Sequence, residues 1–255
     1  MCDRQLRTLP AESVGHLVAQ ADGTMICTVA SGSQRAKRLR QWKEMRLVAA
    51  RAQGRVDACY GATFGEVYKV GRHSGHCTRD AGWGLDTQIH VVGDGADWIR
   101  LQSREVFGDR GRLLLDFYHV CEYLAAAAPA CRPRSPNPWR KTQQRRLKRG
   151  AVQLAIKTLA QNLEPTSLPE EQAPVHTAHR YLSSRRDQLD YPRAMHLGFP
   201  IGSGLIESGH RHLVQARLKA PGTAWLPDNA DDIAQLRVLR ANGHRNSLWI
   251  TPYSA

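Results

Sequence analysis

Continuous or alternating apolar runs fill the first half of the chain, and apolar residues at helical spacing fill most of the second. That division predicts an α/β protein. His16–Val29, HLVAQADGTMICTV, mixes Val, Ile, Leu and Thr around a polar break at Asp22-Gly23. It fits a central strand carrying an acid or, equally simply, a hairpin turn. Trp42–Ala50 reads as a second strand, with a helix as its rival. Arg55–Val70 holds VDACYGATF and EVYKV, β-prone pieces that would complete a three-strand meander. Gly71–Gly84 has four glycines and no periodicity, which predicts a loop or a very short helix.

The densest patterning lies between Thr87 and Leu124. Gln88–Val92 is a β-branched run broken at Gly93-Asp94-Gly95. Ala96–Phe107 carries Ile99, Val106 and Phe107 at helical spacing, and Arg112–Leu115 returns to a strand that ends in Asp116-Phe117-Tyr118-His119. In open α/β sheets, functional groups leave the sheet just past the carboxyl ends of strands. Asp94 and Asp116 are both placed that way.

From Val120 to Leu189 the segments CEYLAAAA, LKRGAVQLAIKTLAQNL and AHRYLSSRRDQL have helical spacing, and Pro129, Pro133, Pro136 and Pro138 separate the first from the second. An all-helical insertion is expected. A glycine-rich turn from Gly198 to Gly204 then feeds a helix on which Glu207, Arg211 and Gln215 share a polar face and Ile206 and Leu213 an apolar one. Asp231–Ala241 reads as a last helix. The predicted organisation is a polar lead-in at 1–15, a first catalytic part at 16–119, the helical insertion at 120–203, a second catalytic part at 204–243 and a tail at 244–255. No internal repeat is visible.

Charge changes this picture. A formal net charge of +13 on 255 residues attracts polyanions, nucleic acid first among them, although a generally basic surface without a specific partner has the same total. Eight Lys/Arg and no acid lie between Arg132 and Arg149, which concentrates the charge on the insertion. Six cysteines without a CxxC pair indicate neither a disulfide framework nor a paired zinc site. His73, His76 and Cys77 lack a second half of a metal site. With no signal region and no membrane-length apolar run, a cytoplasmic protein is expected.

The glycine-rich stretch at 198–204 is neither a P-loop nor a dinucleotide fingerprint, and HExxH and nucleophile-elbow motifs are absent. What remains is carboxylates at strand ends plus one on a helix: Asp22, Asp94 and Glu207, with Asp116 in reserve. Hard oxygen donors of this kind hold Mg²⁺ or Mn²⁺, and a pair of such ions supports phosphodiester cleavage. On spacing alone, each acid serves equally well as a turn cap or as a partner for one of the 36 basic residues.

The strings ADGTMI, QWKEMRLVAARAQG, YGATFGEVYKVG, VVGDGADWI, LLLDFYHVCEYLAAAA, LDYPRAMHLGFPIGSGLIESGHRHLVQARLKAPGTAW and LRVLRANG, in this order, resemble the Kra-group insertion-sequence transposases of bacteria, a family of DDE transposases. The resemblance runs from about residue 18 to 243. It implies a ribonuclease H-like mixed sheet flanked by helices, with the all-α insertion between the fifth strand and the last catalytic helix. It also implies that Asp22, Asp94 and Glu207 are catalytic and hold two Mg²⁺ or Mn²⁺ ions, with no organic cofactor. Asp116-x-x-His119 stands where related Mutator-like transposases have Cys-x-x-His. His119 is therefore expected behind the metal ligands or on DNA, and Asp116 is a weaker candidate ligand. Arg211, Arg217 and Lys219 are expected to line the DNA beside Glu207, and the basic insertion to contact its backbone.

The implied partners are the element's ends and target DNA, held by a homodimer on the nucleoid, with no membrane. Relatives are longer. Only 21 residues precede Asp22, the loop HSGHCTRDAGWG is richer in glycine than the helix found in relatives, and the tail HRNSLWITPYSA lacks their tryptophan-rich register. The expectation is a copy truncated at its N-terminus. A DNA-binding remnant without catalysis is the alternative, and a nuclease of the same fold that never joins strands a third.

Overall fold

The computed structural model describes residues 13–30 and 40–244. Most of the lead-in (1–12), residues 31–39 and all of the tail after His244 lie outside the described residues. Five strands form one mixed, open sheet in the order β3-β2-β1-β4-β5: β1 His16–Val29, β2 Arg40–Ala52, β3 Cys59–Thr63, β4 Gln88–Gly93 and β5 Gly111–Leu115. With helices flanking the sheet, the class is α/β. The first three strands are an antiparallel meander.

β1 runs unbroken through Asp22-Gly23, which pair with Leu47 and Arg46 on β2. The ladder continues on both sides of that dipeptide, so the hairpin alternative falls and Asp22 stands in the body of a strand. Trp42–Ala50 is strand rather than helix, because Met45, Leu47 and Ala49 alternate into the core at the strand period.

Two expectations fail next to each other. EVYKV is not a strand, and of the stretch Gly71–Gly84 only the last four residues, 81–84, are loop. Val67–Asp80 forms a fourteen-residue helix, α1. Its glycines are contact positions: a Cβ on Gly71 would stand 2.1 Å from Gln102 Oε1 and 3.2 Å from Val106 Cγ2 on the next helix, α2 (Asp97–Phe107). Glycine here lets two helices close on each other, at a helix-propensity cost of about 1 kcal/mol relative to alanine. Without an apolar side chain at those positions the sequence shows no helical stripe. His73, His76 and Cys77 all lie on α1, Cys77 buried and His76 exposed.

By its contacts the chain divides into two units, each taken here as far as it is described. The first comprises Met1–Val91, Ala96–Arg112 and Ser203–Ala255. Its core joins Ile26, Met45, Leu47 and Ala62 of the meander to Ile206, Val214, Leu218, Ala234 and Val238. Each large side chain so buried contributes about 1.5–3 kcal/mol of transfer free energy.

The late segments of this unit are α8 (Gly204–Gly209), a π-helical stretch His210–Gln215, α9 (Ala216–Leu218) and α10 (Pro227–Ala241). The π turns widen the helix. Besides Gly209, the buried positions are Ile206, His210, Val214 and Leu218, four apart, and Leu213, expected to share the face of Ile206, is only half-buried. α10 starts ahead of Asp231, with Pro227 in its first turn, where the missing N–H costs nothing.

The second unit comprises Val92–Gly95 and Leu113–Gly202. All its α-helices fall between Phe117 and His196: α3 (Phe117–Cys131), α4 (Pro136–Lys148), α5 (Val152–Ala160), α6 (Pro174–Ser184) and α7 (Tyr191–His196). Leu115, Leu124, Leu147, Leu159, Leu182 and Tyr191 are its largest fully buried side chains. Pro129 does not end α3. It sits in the last turn, where the ring removes one backbone bond near a fraying end instead of breaking the helix middle. No described helix is long and apolar enough to cross a membrane.

Candidate functional site

In the first unit, side chains of β1 reach the helix that carries Glu207. Gln20, fully buried, accepts the backbone N–H of Ile206 through its Oε1 at 2.9 Å. Ile206 lies in the first turn of α8, where backbone N–H groups have no helical partner, so a strand residue caps the helix from outside. Two residues on, the carbonyl of Asp22 accepts from His210 Nε2 at 3.1 Å. Gln20 and Asp22 share one face of β1, and Ile206 and His210 share one face of the helical segment. The strand of the first acid and the helix of the third are thus joined at two points.

Both acids have one oxygen occupied locally. Asp22 Oδ1 accepts its neighbour Gly23's N–H at 2.8 Å, and Glu207 Oε1 accepts from Ser203 Oγ at 2.8 Å. Asp22 Oδ2 lies 3.5 Å from His210 Nε2, the Asp22 side chain being 37% exposed and that of His210 2%. Burial pulls the His210 pKa down to about 4, against a rise from its bond to Asp22 and with a further lowering from Lys219. The ring is therefore neutral at pH 7 and carries its proton on Nε2. Its Nδ1 is buried without a hydrogen-bond partner. Beside this face, Glu44 pairs with Arg46 at 2.6 Å, and Arg46 also donates to the Gly65 carbonyl at 3.1 Å and lies over the ring of Trp98.

In the second unit, Asp94 directly follows β4 in a turn held from α6. Tyr181 Oη donates to the Asp94 carbonyl, and Arg185 Nε donates to the Gly95 carbonyl at 2.9 Å. Gly95 has φ of +87°, and a Cβ there would meet Leu115 at 2.8 Å and Arg185 at 2.9 Å, so this position takes glycine for both reasons. The Arg185 guanidinium stands 4.7 Å over the Tyr181 ring, which stacks on Tyr123 at 4.1 Å and meets His119 edge-on at 5.9 Å. Burial, and then Tyr123, push the Tyr181 phenol well above its usual range. It is protonated, and a donor, at neutral pH.

Asp116 turns out to be a helix cap. Its Oδ1 accepts the N–H groups of Tyr118 at 2.6 Å and His119 at 3.2 Å at the start of α3, the residue is buried, and its own N–H donates to the Gly93 carbonyl at 2.8 Å. Through Oδ1 the carboxylate thus serves the start of the helix. His119 Nδ1 lies 3.1 Å from Glu122 Oε2 one turn on.

Each unit therefore gathers part of the expected set: Asp22 and Glu207 with Gln20 and His210 in one, Asp94, Asp116 and His119 with Tyr181 and Arg185 in the other. Arg211, Arg217 and Lys219 are exposed on the segments after Glu207, Arg217 lying 5.6 Å over the Trp225 ring. Among the described residues, no three His, Cys, Asp or Glu side chains form a group able to hold a metal ion. The donors themselves are carboxylate oxygens, which suit a hard divalent cation.

Sequence reasoning missed Gln20, His210, Tyr181 and Arg185. Gln20 was two residues from a named acid on the same strand face, and His210 one helical turn after Glu207; those spacings were the available signal. Nothing in the local sequence marks Tyr181 or Arg185, which reach Asp94 only through the packing of α6. No protein-family model matches the chain, and no curated protein matches it.

Proposed function

We propose that the chain is the catalytic part of a metal-dependent DNA transposase with a ribonuclease H-like fold. The observation that carries this reading is the double link between β1 and the helix of Glu207, Gln20 to Ile206 and His210 to Asp22, which ties an acid in a central strand to an acid on a late helix. The strand order, an antiparallel meander followed by β4 next to β1, supports the same fold. So does Asp94, one residue past β4, where side chains leave the sheet.

Asp22, Asp94 and Glu207 would hold Mg²⁺ or Mn²⁺. When bound, two such ions supply the positive charge that stabilises the attacking and leaving oxygens of a phosphodiester. The protein's own side chains do the positioning. Gln20 fixes the first turn of α8 and with it the base of Glu207. His210, neutral and donating to the Asp22 carbonyl, fixes the strand at Asp22 without adding a cation. Tyr181 and Arg185 hold the Asp94-Gly95 turn by its two carbonyls. Arg211, Arg217 and Lys219 offer exposed cations for backbone phosphates, contacts that position DNA without reading its sequence.

The test is nicking of a supercoiled plasmid with and without Mg²⁺ or Mn²⁺, for the native chain and for Glu207→Gln and Asp94→Asn. The expected result is metal-dependent nicking lost in both variants while DNA affinity is kept or slightly raised, because removing a carboxylate lessens repulsion of the phosphates. A folded protein that binds DNA and never nicks it refutes catalysis and leaves a DNA-binding remnant. Nicking without strand transfer leaves a nuclease.

A further inference from the structure

Helices α4 and α5 of the second unit border a groove of about 440 Å³. Its volume falls within the roughly 300–1,000 Å³ of sites that take a small organic group. A bare phosphate needs much less. Arg132, Ser135, Trp139, Thr142, Arg146 and Asn162 are among its lining, and no carboxylate is.

The wall is ordered by its own hydrogen bonds. Arg146 Nη1 donates to Gln143 Oε1 at 3.0 Å and to Thr158 Oγ1 at 2.8 Å, and Thr158 in turn donates to the Leu154 carbonyl at 2.7 Å. Asn162 Nδ2 donates to the Thr158 carbonyl at 2.7 Å. These contacts use one guanidinium nitrogen and orient the plane of the rest, so little side-chain entropy is left to lose when an anion arrives. Arg134, Arg145 and Arg149 are exposed on the same stretch, with no acid between Arg132 and Arg149.

We propose that this groove binds a nucleotide unit of a DNA strand through its phosphate, with Arg132 and Arg146 as the two guanidinium partners. The proposal rests on DNA being the substrate, as argued above, but needs neither metal nor cleavage. Two arginines facing one cavity, with hydroxyl and amide donors between them and no carboxylate to neutralise them, match a phosphodiester: forked donors for its oxygens and room beside them for the sugar. The site would anchor the strand on the helical unit, independently of base sequence.

The experiment is fluorescence anisotropy with a labelled DNA duplex and a labelled single strand of equal length, in EDTA so that nothing is cut, between 50 and 200 mM NaCl. It compares the native chain with Arg132→Gln, Arg146→Gln and Arg146→Lys, and with Arg104→Gln, which removes the same charge from an exposed site on α2. Arg132 is exposed, so its variant keeps the test readable if Arg146→Gln, which breaks two hydrogen bonds, fails to fold. For Arg132→Gln the slope of log affinity against log salt should fall by about 1, the signature of one lost phosphate contact. Arg104→Gln should leave the slope unchanged, and Arg146→Lys should recover part of what Arg146→Gln loses. Equal losses in Arg132→Gln and Arg104→Gln overturn the proposal in favour of diffuse attraction. Unchanged DNA affinity in Arg132→Gln, with thermal stabilisation by inorganic phosphate or a mononucleotide lost in that variant, overturns it in favour of a small-anion site. A native chain that binds no DNA overturns the transposase reading as well.

Discussion

Replacing Gln20 by leucine removes the acceptor of the Ile206 N–H while keeping a side chain of similar bulk. The group left behind is in the first turn of α8, where no helical carbonyl can take it, and both residues are buried. A buried donor deprived of its partner costs about 1–3 kcal/mol. The gain from a more apolar side chain is small, because Gln20 is already out of water. The net expectation is therefore a loss of about 2 kcal/mol, felt where β1 meets the helix of Glu207. Urea unfolding followed by tryptophan fluorescence reads the global effect. Amide hydrogen exchange at Ile206 and Glu207 reads the local one, and should rise by one to two orders of magnitude, since each 1.4 kcal/mol is about tenfold. A variant within about 0.5 kcal/mol of the native chain, with unchanged exchange at Ile206, would refute the argument that β1 caps this helix.

His210 gives a pH dependence in the chelated, metal-free protein. Its folded pKa of about 4 lies below the ordinary 6.5, so the unfolded chain takes up a proton first as pH falls and stability drops between those values. About 2 kcal/mol should be lost between pH 7 and pH 5. Urea midpoints at the two pH values measure it, and a native chain and His210→Gln with identical pH slopes would contradict it. Asp116→Asn should keep the cap of α3, whereas Asp116→Ala should cost about 0.5–2 kcal/mol by thermal unfolding. Plasmid nicking that is lost in Asp116→Asn at unchanged stability would mean that the carboxylate does more than cap. Gly71→Ala should come out within about 1 kcal/mol of the native chain, because the Gln102 amide end can swing aside and the 3.2 Å approach to Val106 offsets the gain in helix propensity. A variant stabilised by more than that in the same thermal assay would mean that α1 and α2 have room to separate.

Local pattern carried the sequence a long way. The β-branched run before Asp94, the helical spacing of Ala96–Phe107 and the return to strand before Asp116 are each decided by residues within a few positions of one another, and the structure has β4, α2 and β5 there. The α/β class and the helical run after β5 follow from the same short-range periodicity, because a side chain's exposure on a strand or helix repeats every two or 3.6 residues whatever the rest of the chain does.

The tertiary structure decided what depends on distant partners. A glycine is a helix breaker until a second helix packs against it, so α1 could not be read from Gly71–Gly84. Asp22-Gly23 is a turn signal until β2 pairs through it. The apolar face after Glu207 shifted because the π turns of His210–Gln215 bring His210 beneath Asp22, a contact 188 residues apart in the chain. Asp116 looked like its neighbour Asp94 in sequence, an acid after a strand, and became a cap because the chain turns into α3 directly behind it. Tyr181 and Arg185 reach the Asp94 turn from 87 and 90 residues away, across chain that has no periodic relation to it. The sequence determined the elements whose periodicity is local; which carboxylate is hydrogen-bonded and which caps a helix was decided only by folding, since hydrogen-bond partners are chosen by proximity in space.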